Sequence, residues 1–324
     1  MPKVSVIIPV YKVEQYIERC ARSLFEQTLD DIEYLFVDDC SPDMSIEILK
    51  QVLEEYPWRK QQVIIHRMEC NSGQAKVREW GMKKAYGEYV IHCDSDDWVE
   101  KDMYETLYRT AKEKDGDIVI CGFSRIDGKR VFFQGASYSH VAGDKRQLLS
   151  LLIRGSNLSS LCNKLVSREL CSKLIYPTSN MWEDYVISVQ LLYYARRVVS
   201  VDRNMYWYCY NPRSICGTKD ARKVIDRYLQ QKENVGMIIN FLRDHGIYDM
   251  YSDDVVGMKY LAKSELLPAV GEIRYWNLWR KEYKEINGRI LFSRAVPLRG
   301  KIKFIITFLG LYPLISKTGV TVLQ

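Results

Sequence analysis

The sequence predicts an α/β protein with a mostly parallel sheet, helices on both faces, and a helical C-terminal region. Three observations lead there. Over the first 125 residues, short runs rich in β-branched residues alternate with apolar positions at helical spacing. From about residue 222 the pattern is helical throughout. The length of 324 residues suggests about two domains at ~150 residues each.

The elements follow in order. Val4-Ser5-Val6-Ile7-Ile8-Pro9-Val10 is a short apolar run suited to a parallel strand buried on both faces. Ile17, Cys20, Ala21, Leu24 and Phe25 mark one helix face. Glu33 to Val37 predicts a second strand, ending in Asp38-Asp39. Ile46, Leu49, Val52 and Leu53 mark a second helix, and Val63-Ile64-Ile65 a third strand. Residues 73–86 read as a third helix. Glu88 to Cys93 reads as a fourth strand, ending in Asp94-Ser95-Asp96-Asp97. Tyr104, Leu107, Tyr108 and Ala111 mark a fourth helix, and Asp117 to Cys121 a fifth strand. Beyond residue 126 an extended or hairpin segment is expected over 129–140, helices over 144–154 and 184–196, and short strands over 197–201 and 205–210. Later helices break near Gly246, Pro268, Gly288 and Pro297. The boundary near 215–222 separates a domain over 1–218 from a helical region over 219–324. No internal repeat or low-complexity segment is present.

Hydrophobic residues are 47% and charged residues 27%. These ordinary values exclude disordered, collagen-like and coiled-coil readings. No apolar run reaches the ~18–20 residues of a transmembrane helix. Met1-Pro2-Lys3 leads straight into a strand, so no secretory signal is expected. The nine cysteines (Cys20, Cys40, Cys70, Cys93, Cys121, Cys162, Cys171, Cys209, Cys216) are odd in number and contain no C-x-x-C pair. They read as reduced thiols of a cytosolic protein.

The net charge of +6 is localised. Residues 286–324 hold Arg289, Arg294, Arg299, Lys301, Lys303 and Lys317 and no acid, so the rest balances at 41 against 41. At helical spacing, Ile302, Phe304, Ile305, Ile306, Phe308, Leu309, Leu311, Leu314 and Ile315 give a broad apolar face, with Lys301, Lys303 and Thr307 on a narrower polar side. Such a segment suits an anionic membrane surface; the alternative is a terminal helix docked on its own domain. Nucleic acid is not expected as a partner, because no recognition motif interleaves the basic charge.

In open α/β sheets, ligands bind beyond the carboxyl ends of the strands. After the first strand comes Pro9-Val10-Tyr11-Lys12, without the glycines of a dinucleotide fingerprint, and no G-x-x-x-x-G-K-[ST] occurs anywhere. Carboxylates follow strands two and four instead. Acidic loops hold phosphates through a divalent cation, which bridges carboxylate to diphosphate. A bound Mg²⁺ or Mn²⁺ would also relieve the repulsion among the clustered aspartates. The alternative is that these aspartates are turn and helix-cap residues, the reading preferred for Asp43 and Asp102.

Four segments in order resemble family 2 glycosyltransferases of the GT-A fold: Val4 to Lys12; Val37-Asp38-Asp39-Cys40-Ser41; Asn71-Ser72-Gly73 through Ala75 and Arg78 to Gly81; and Gly87-Glu88-Tyr89 through Asp94-Ser95-Asp96-Asp97-Trp98. The resemblance covers about the first 125 residues, with weaker signals to about 218. It implies that Pro9 and Tyr11 pack on the base and ribose, with Val10 a further nucleotide-sugar-binding residue of the same loop. Asp39 bonds the uracil N–H, and Glu14 lies near the ribose. Asn71, Gly73 and Arg78 line the diphosphate side, although Val77 and Glu79 replace the small residue and Asn commoner there. In the DxD element Asp94-Ser95-Asp96, Asp94 faces the ribose or donor sugar and Asp96 binds the metal, with Asp97 assisting.

Transfer by single displacement also needs a base for the acceptor hydroxyl. Trp182-Glu183-Asp184 precedes an amphipathic helix and resembles the family's Glu-Asp motif. Asp184 then acts as base and Glu183 as supporting acceptor or donor-sugar contact; helix capping by Asp184 is compatible with this. Asn163-Lys164-Leu165, the aromatic run Tyr206-Trp207-Tyr208-Cys209-Tyr210 and Arg213-Ser214-Ile215 resemble further family segments. By itself Lys164 reads as a solvated or ion-paired side chain, and His92 as a satisfied core residue. The resemblance implies an inverting, cation-dependent transferase that uses a UDP-sugar in bacterial surface-polysaccharide assembly. Its acceptor is a saccharide or lipid-linked saccharide at the inner face of the cell membrane. The alternatives are a non-catalytic nucleotide-sugar-binding module and a sugar-1-phosphate nucleotidylyltransferase, whose G-x-G-x-R is missing from the first loop.

Overall fold

The computed structural model describes residues 1–127, 130–134, 138, 142–211 and 220–312. They form two compact units. The first comprises Met1–Leu148, Ser160–Asn180 and Ile187–Pro212, and the second Leu149–Ser159, Met181–Val186 and Arg213–Gln324.

The strands of the first unit are β1 (Val4–Val10), β2 (Ile32–Asp38), β3 (Val63–Arg67), β4 (Tyr89–His92), β5 (Trp98–Val99), β6 (Ile118–Asp127), β7 (Arg130–Gln134), β8 (Lys164–Ser167) and β9 (Val198–Cys209). They make one mixed sheet in the order β3-β2-β1-β4-β8-β6-β9-β5, with β7 paired to β6. The helices in chain order are α1 (Ile17–Phe25), α2 (Ser45–Glu54), α3 (Gln74–Lys84), α4 (Met103–Glu113), α5 (Lys145–Ile153), α6 (Arg168–Cys171) and α7 (Glu183–Tyr194).

β1 is parallel to β2 on one side and to β4 on the other. Its side chains are buried on both faces, which explains the unbroken apolar run. Val4, Val6, Ile8 and Val10 join a core with Ile17, Leu24 and Phe25 of α1. Ile7 points to the other face, where a Cβ on Gly81 of α3 would lie 2.4 Å from it. Glycine therefore lets α3 approach the sheet. The chain winds outward from β1 in both directions, so the crevice between β1 and β4 is the topological switch point.

Four details depart from the expected elements. β8 lies antiparallel between β4 and β6. The expected fifth strand is longer, running to Asp127, and it pairs antiparallel with β7, which lies inside the extended or hairpin segment expected over 129–140. The two short strands over 197–201 and 205–210 are one strand, β9, whose register against β6 slips around Gly122. That irregularity absorbs the polar Asp202-Arg203-Asn204, which reads as a break in sequence. Two-residue β5 pairs with the end of β9.

The helices of the second unit are α8 (Ala221–Asp244), α9 (Ser252–Ser264), α10 (Ile273–Lys281), α11 (Asn287–Ile290) and α12 (Leu298–Phe308). Asp220 caps α8 by accepting the Arg222 and Lys223 amides, each at 3.1 Å. Gly246, at φ 67°, follows its end. Gly288, expected as a break, lies within α11. The core gathers Tyr228, Tyr260, Trp279, Ile286, Ile290 and Phe304. Lys263 is buried in it, donating to Asn287 Oδ1 at 2.8 Å and lying over the Trp279 ring. Burial lowers its ammonium pKa to about 8, against the opposing pull of Glu285.

Thr307 was expected on the polar side of the terminal helix but is fully buried, its hydroxyl donating to the Lys303 carbonyl at 2.8 Å. The apolar residues of α12 divide between two sides: Phe304 packs inward, and Ile302 and Ile305 are exposed. Eight cysteines lie among the described residues, all as free thiols. Among the described residues no helix is long and apolar enough to cross a membrane. Cys216, His140, Arg213-Ser214-Ile215, Leu314, Ile315 and Lys317 lie outside them.

Candidate functional site

β1, β2 and β4 run parallel, so their carboxyl ends open on one edge of the sheet, and hydrogen bonds knit the loops that follow. After β1, Val10 is wholly buried and its carbonyl accepts the Asp39 amide at 3.0 Å. Tyr11 is 40% exposed, with the Lys12 ammonium 5.0 Å from its ring centre. Glu14 is exposed and accepts the Met44 amide at 3.3 Å, at the start of α2.

After β2, Asp38 accepts the Ser41 amide on Oδ1 and the Arg67 guanidinium on Oδ2. Asp39 is 5% exposed and receives the Ser72 amide at 2.7 Å and the Gly73 amide at 2.9 Å, one on each oxygen. It thus fixes the loop that carries Asn71 and Gly73. Each carboxylate oxygen keeps a second lone pair for a ligand donor. Asn71 is exposed beside it.

The start of α3 depends on a residue that sequence reasoning missed. Asn180 Oδ1 accepts the Ala75 amide at 3.0 Å and so caps α3 from 105 positions away. A Cβ on Gly73, at φ 82°, would lie 2.4 Å from the Asn180 amide, so glycine is required there both for its dihedral and for space. Asn180→Ala is expected to cost about 1 kcal/mol of stability, as lost caps do. Thermal melting would check this, and an unchanged melting temperature would show that the bond to Ala75 adds nothing to stability.

Arg78 is 4% exposed and reaches Asp94 Oδ1 at 2.7 Å. Val77 is buried, and Glu79 pairs with Lys76 and Lys83 on the outside of α3. After β4, Ser95 Oγ donates to the Pro9 carbonyl at 2.6 Å, tying this loop to β1. Tyr206 on β9 clamps the loop from beneath. Its hydroxyl donates to Asp97 Oδ2 at 2.5 Å and accepts the Asp94 amide at 3.1 Å. Asp97 also accepts the Cys209 amide at 2.7 Å and is fully buried. Its carboxylate is thereby committed to joining the loop to β9. Burial, with Asp96 and Asp94 nearby, pushes its pKa well up.

Asp96 accepts Asn211 Nδ2 at 3.0 Å, and its carbonyl accepts Arg19, which stacks on Trp98 with the guanidinium 3.9 Å from the ring centre. Burial first, then the Asp94 charge, raise the Asp96 pKa. His92 is buried, and its ring nitrogens have no hydrogen-bond partner among the described residues, unlike the satisfied core residue expected. Burial first, then Arg78, hold its pKa well below the usual value, so it is neutral. Lys164, expected as a solvated or ion-paired side chain, is buried and donates to the Ser160 carbonyl and Asn163 Oδ1.

Among the described residues no group of three or more His, Cys, Asp or Glu side chains is placed to hold a metal ion. Asp96 supplies carboxylate oxygen, the donor a divalent cation takes, and burial first and then the Asp94 charge make its anion costly on its own.

Glu183 and Asp184 belong to the second unit. Trp182, at φ 69°, turns the chain into α7. Asp184 Oδ1 accepts the Tyr185 amide at 2.8 Å, and the Tyr185 hydroxyl donates to the Leu152 and Ile153 carbonyls at 2.7 and 2.6 Å. Glu183 is 5% exposed.

Residues 5–174 match the family model described as glycosyl transferase family 2. Glycosyltransferase GlyA of Streptococcus pneumoniae is 30% identical over 215 residues, 64% of this chain; the match spans 30% of the length of GlyA. Among solved structures, S. aureus TarS 1-349 in complex with UDP-GlcNAc superposes with a TM-score of 0.56 at 19% identity, covering 98% of this chain and 92% of that one. The Pyrobaculum calidifontis mannosyltransferase PcManGT in complex with GDP-Man and Mn²⁺ superposes with a TM-score of 0.58 at 15% identity, covering 99% and 88%.

Proposed function

Because the chain belongs to glycosyl transferase family 2 and is a glycosyltransferase, we propose that it moves a sugar from a UDP-sugar to a saccharide or lipid-linked saccharide, with inversion, in bacterial surface-polysaccharide synthesis. The observation that carries the donor assignment is the bonded loop set at the switch point: Asp39 to Ser72 and Gly73, Arg78 to Asp94, and Ser95 to Pro9. In this reading Pro9, Tyr11 and Asp39 form the base-and-ribose side, and Gly73 and Arg78 the diphosphate side. The UDP-GlcNAc complex of the structurally similar TarS supports a UDP-linked donor, and the Mn²⁺ complex of PcManGT supports a divalent cation.

In this reading Asp96 holds Mn²⁺ or Mg²⁺, and Asp97, with both oxygens engaged, keeps Asp96 in place. When bound, the cation neutralises the charge that grows on the leaving diphosphate. Asp94, fixed by Arg78, orients the donor's ribose or sugar. Asp184 takes the proton of the acceptor hydroxyl as that oxygen bonds the anomeric carbon, and the bond to the diphosphate breaks on the opposite face. Glu183 supports the acceptor or the donor sugar. A lipid-linked acceptor would place this reaction at the inner face of the cell membrane.

The test is UDP release across UDP-Glc, UDP-Gal, UDP-GlcNAc and UDP-GalNAc, with GDP-mannose as control, in Mn²⁺ or Mg²⁺ and again in EDTA. Turnover with a UDP-sugar that EDTA abolishes is the expected result. Turnover indifferent to EDTA would remove the metal assignment, and turnover with GDP-mannose alone would remove the uracil assignment.

A further inference from the structure

α12 docks by one side and presents a second apolar side to solvent. Phe304 and Thr307 face the core of the second unit. Leu298, Ile302, Ile305 and Leu309, spaced by four, three and four, form a stripe and are 73, 41, 42 and 64% exposed. The stripe is contiguous with the segment after α11. Leu291 lines one apolar groove of about 320 Å³ together with Phe304, Ile305, Phe308 and Leu309. Beside it, Phe292 is 86% exposed. Single exposed apolar residues are ordinary, but a continuous ridge of this kind marks an interaction surface.

The chemistry around the ridge selects its partner. On the same stretch of chain Arg289, Arg294 and Arg299 are exposed, Lys301 and Lys303 are half-buried, and the sequence holds no acid from residue 286 to the end. Five of the six basic side chains of this acid-free segment, Arg289, Arg294, Arg299, Lys301 and Lys303, lie among the described residues. A partner must accept apolar side chains into its interior while presenting negative charge at its surface. An anionic lipid leaflet does both.

We propose that the second unit docks on an anionic bilayer surface through Leu291, Phe292, Leu298, Ile302, Ile305 and Leu309, with the surrounding arginines and lysines at the headgroups. This names the surface behind the membrane location in the proposed function, and it is independent of the donor, metal and base assignments.

The experiment is co-sedimentation of the full chain, without donor, with vesicles of phosphatidylcholine alone or containing about one third phosphatidylglycerol. Expected is binding to the anionic vesicles only, weakened as salt rises from about 0.1 to about 1 M. The variant carrying Phe292→Ser, Leu298→Ser and Leu309→Ser, all at exposed positions, should bind at least about tenfold more weakly. Arg294→Gln should lose about fivefold on anionic vesicles and nothing on neutral ones. UDP release in solution by the triple variant should equal that of the wild type, so loss of docking is read separately from loss of catalysis. Equal binding to both vesicle types, or undiminished binding by the triple variant, would overturn the proposal. So would a dimer that the triple variant abolishes, since a second copy would then occupy the ridge. Binding that appears only when residues 313–324 are removed would overturn it too, by making the chain's own end the occupant.

Discussion

Asp96→Asn should lower sugar transfer by about a thousandfold while raising the melting temperature of the metal-free protein. The loss follows from removing the single carboxylate assigned to the cation, whose neutralisation of a leaving diphosphate amounts to several kcal/mol. The gain follows from the sign of the Asp96 pKa shift. Burial and the Asp94 charge raise it above the unfolded value. Between those two values the folded state binds more protons than the unfolded state, so stability falls as pH rises through the window, and the penalty remains above it. A neutral isostere that keeps the Asn211 contact escapes that penalty. With UDP present throughout, added Mn²⁺ should therefore raise the melting temperature of the wild type and leave that of Asp96→Asn unchanged, since only the protein that binds the ion is stabilised by it. Below the raised pKa the cation must displace a proton, so the Mn²⁺ effect should weaken with acid earlier than for an ordinary carboxylate. A thermal-shift series across pH, with and without Mn²⁺ and UDP, checks all three statements. A variant that melts lower than wild type and still responds to Mn²⁺ would sink the assignment.

The carboxyl edge of the parallel strands was legible because those strands are buried on both faces. That demand writes β-branched runs such as Val4 to Val10, and the polar residues at their ends stand out by contrast. What sequence could not reveal is which polar groups are spent on one another. Asp97 is indistinguishable from Asp96 in D-S-D-D, yet Tyr206 and the Cys209 amide engage it from a strand over a hundred residues later. Asn180 carries no local signal, because its partner amide belongs to α3. The only sequence hint was at the other end of the contact, in Gly73, whose dihedral and lack of a side chain the cap requires. β8 was hidden for a related reason: Lys164 breaks an apolar pattern in solvent terms, but its ammonium is satisfied internally. In α12 apolar residues occupy both the docked and the exposed side, so periodicity identified a helix without identifying its inner face. That ambiguity is why Thr307 was placed on the wrong side.

Asp184→Asn should lower transfer by about 10²–10⁴-fold with the donor KM nearly unchanged, the range expected on loss of a general base. The local structure makes this substitution informative. Asp184 sits in the first turn of α7, where the helix end favours negative charge, and its Oδ1 accepts the Tyr185 amide. The carbonyl of Asn can accept that same amide, so the cap persists while the ability to take a proton is lost. Asp184→Ser also retains a capping oxygen, and Asp184→Ala does not. If Asp184 is a cap only, melting temperature should follow the series Asn, Ser, Ala and transfer should follow melting temperature. If Asp184 is the base, transfer falls equally in all three while only Ala melts lower by the roughly 1 kcal/mol of a lost cap. Steady-state transfer set beside thermal melting across the three variants decides between them. Full transfer by Asp184→Asn would end the assignment, whatever the melting curves show, because an amide cannot take up the acceptor's proton.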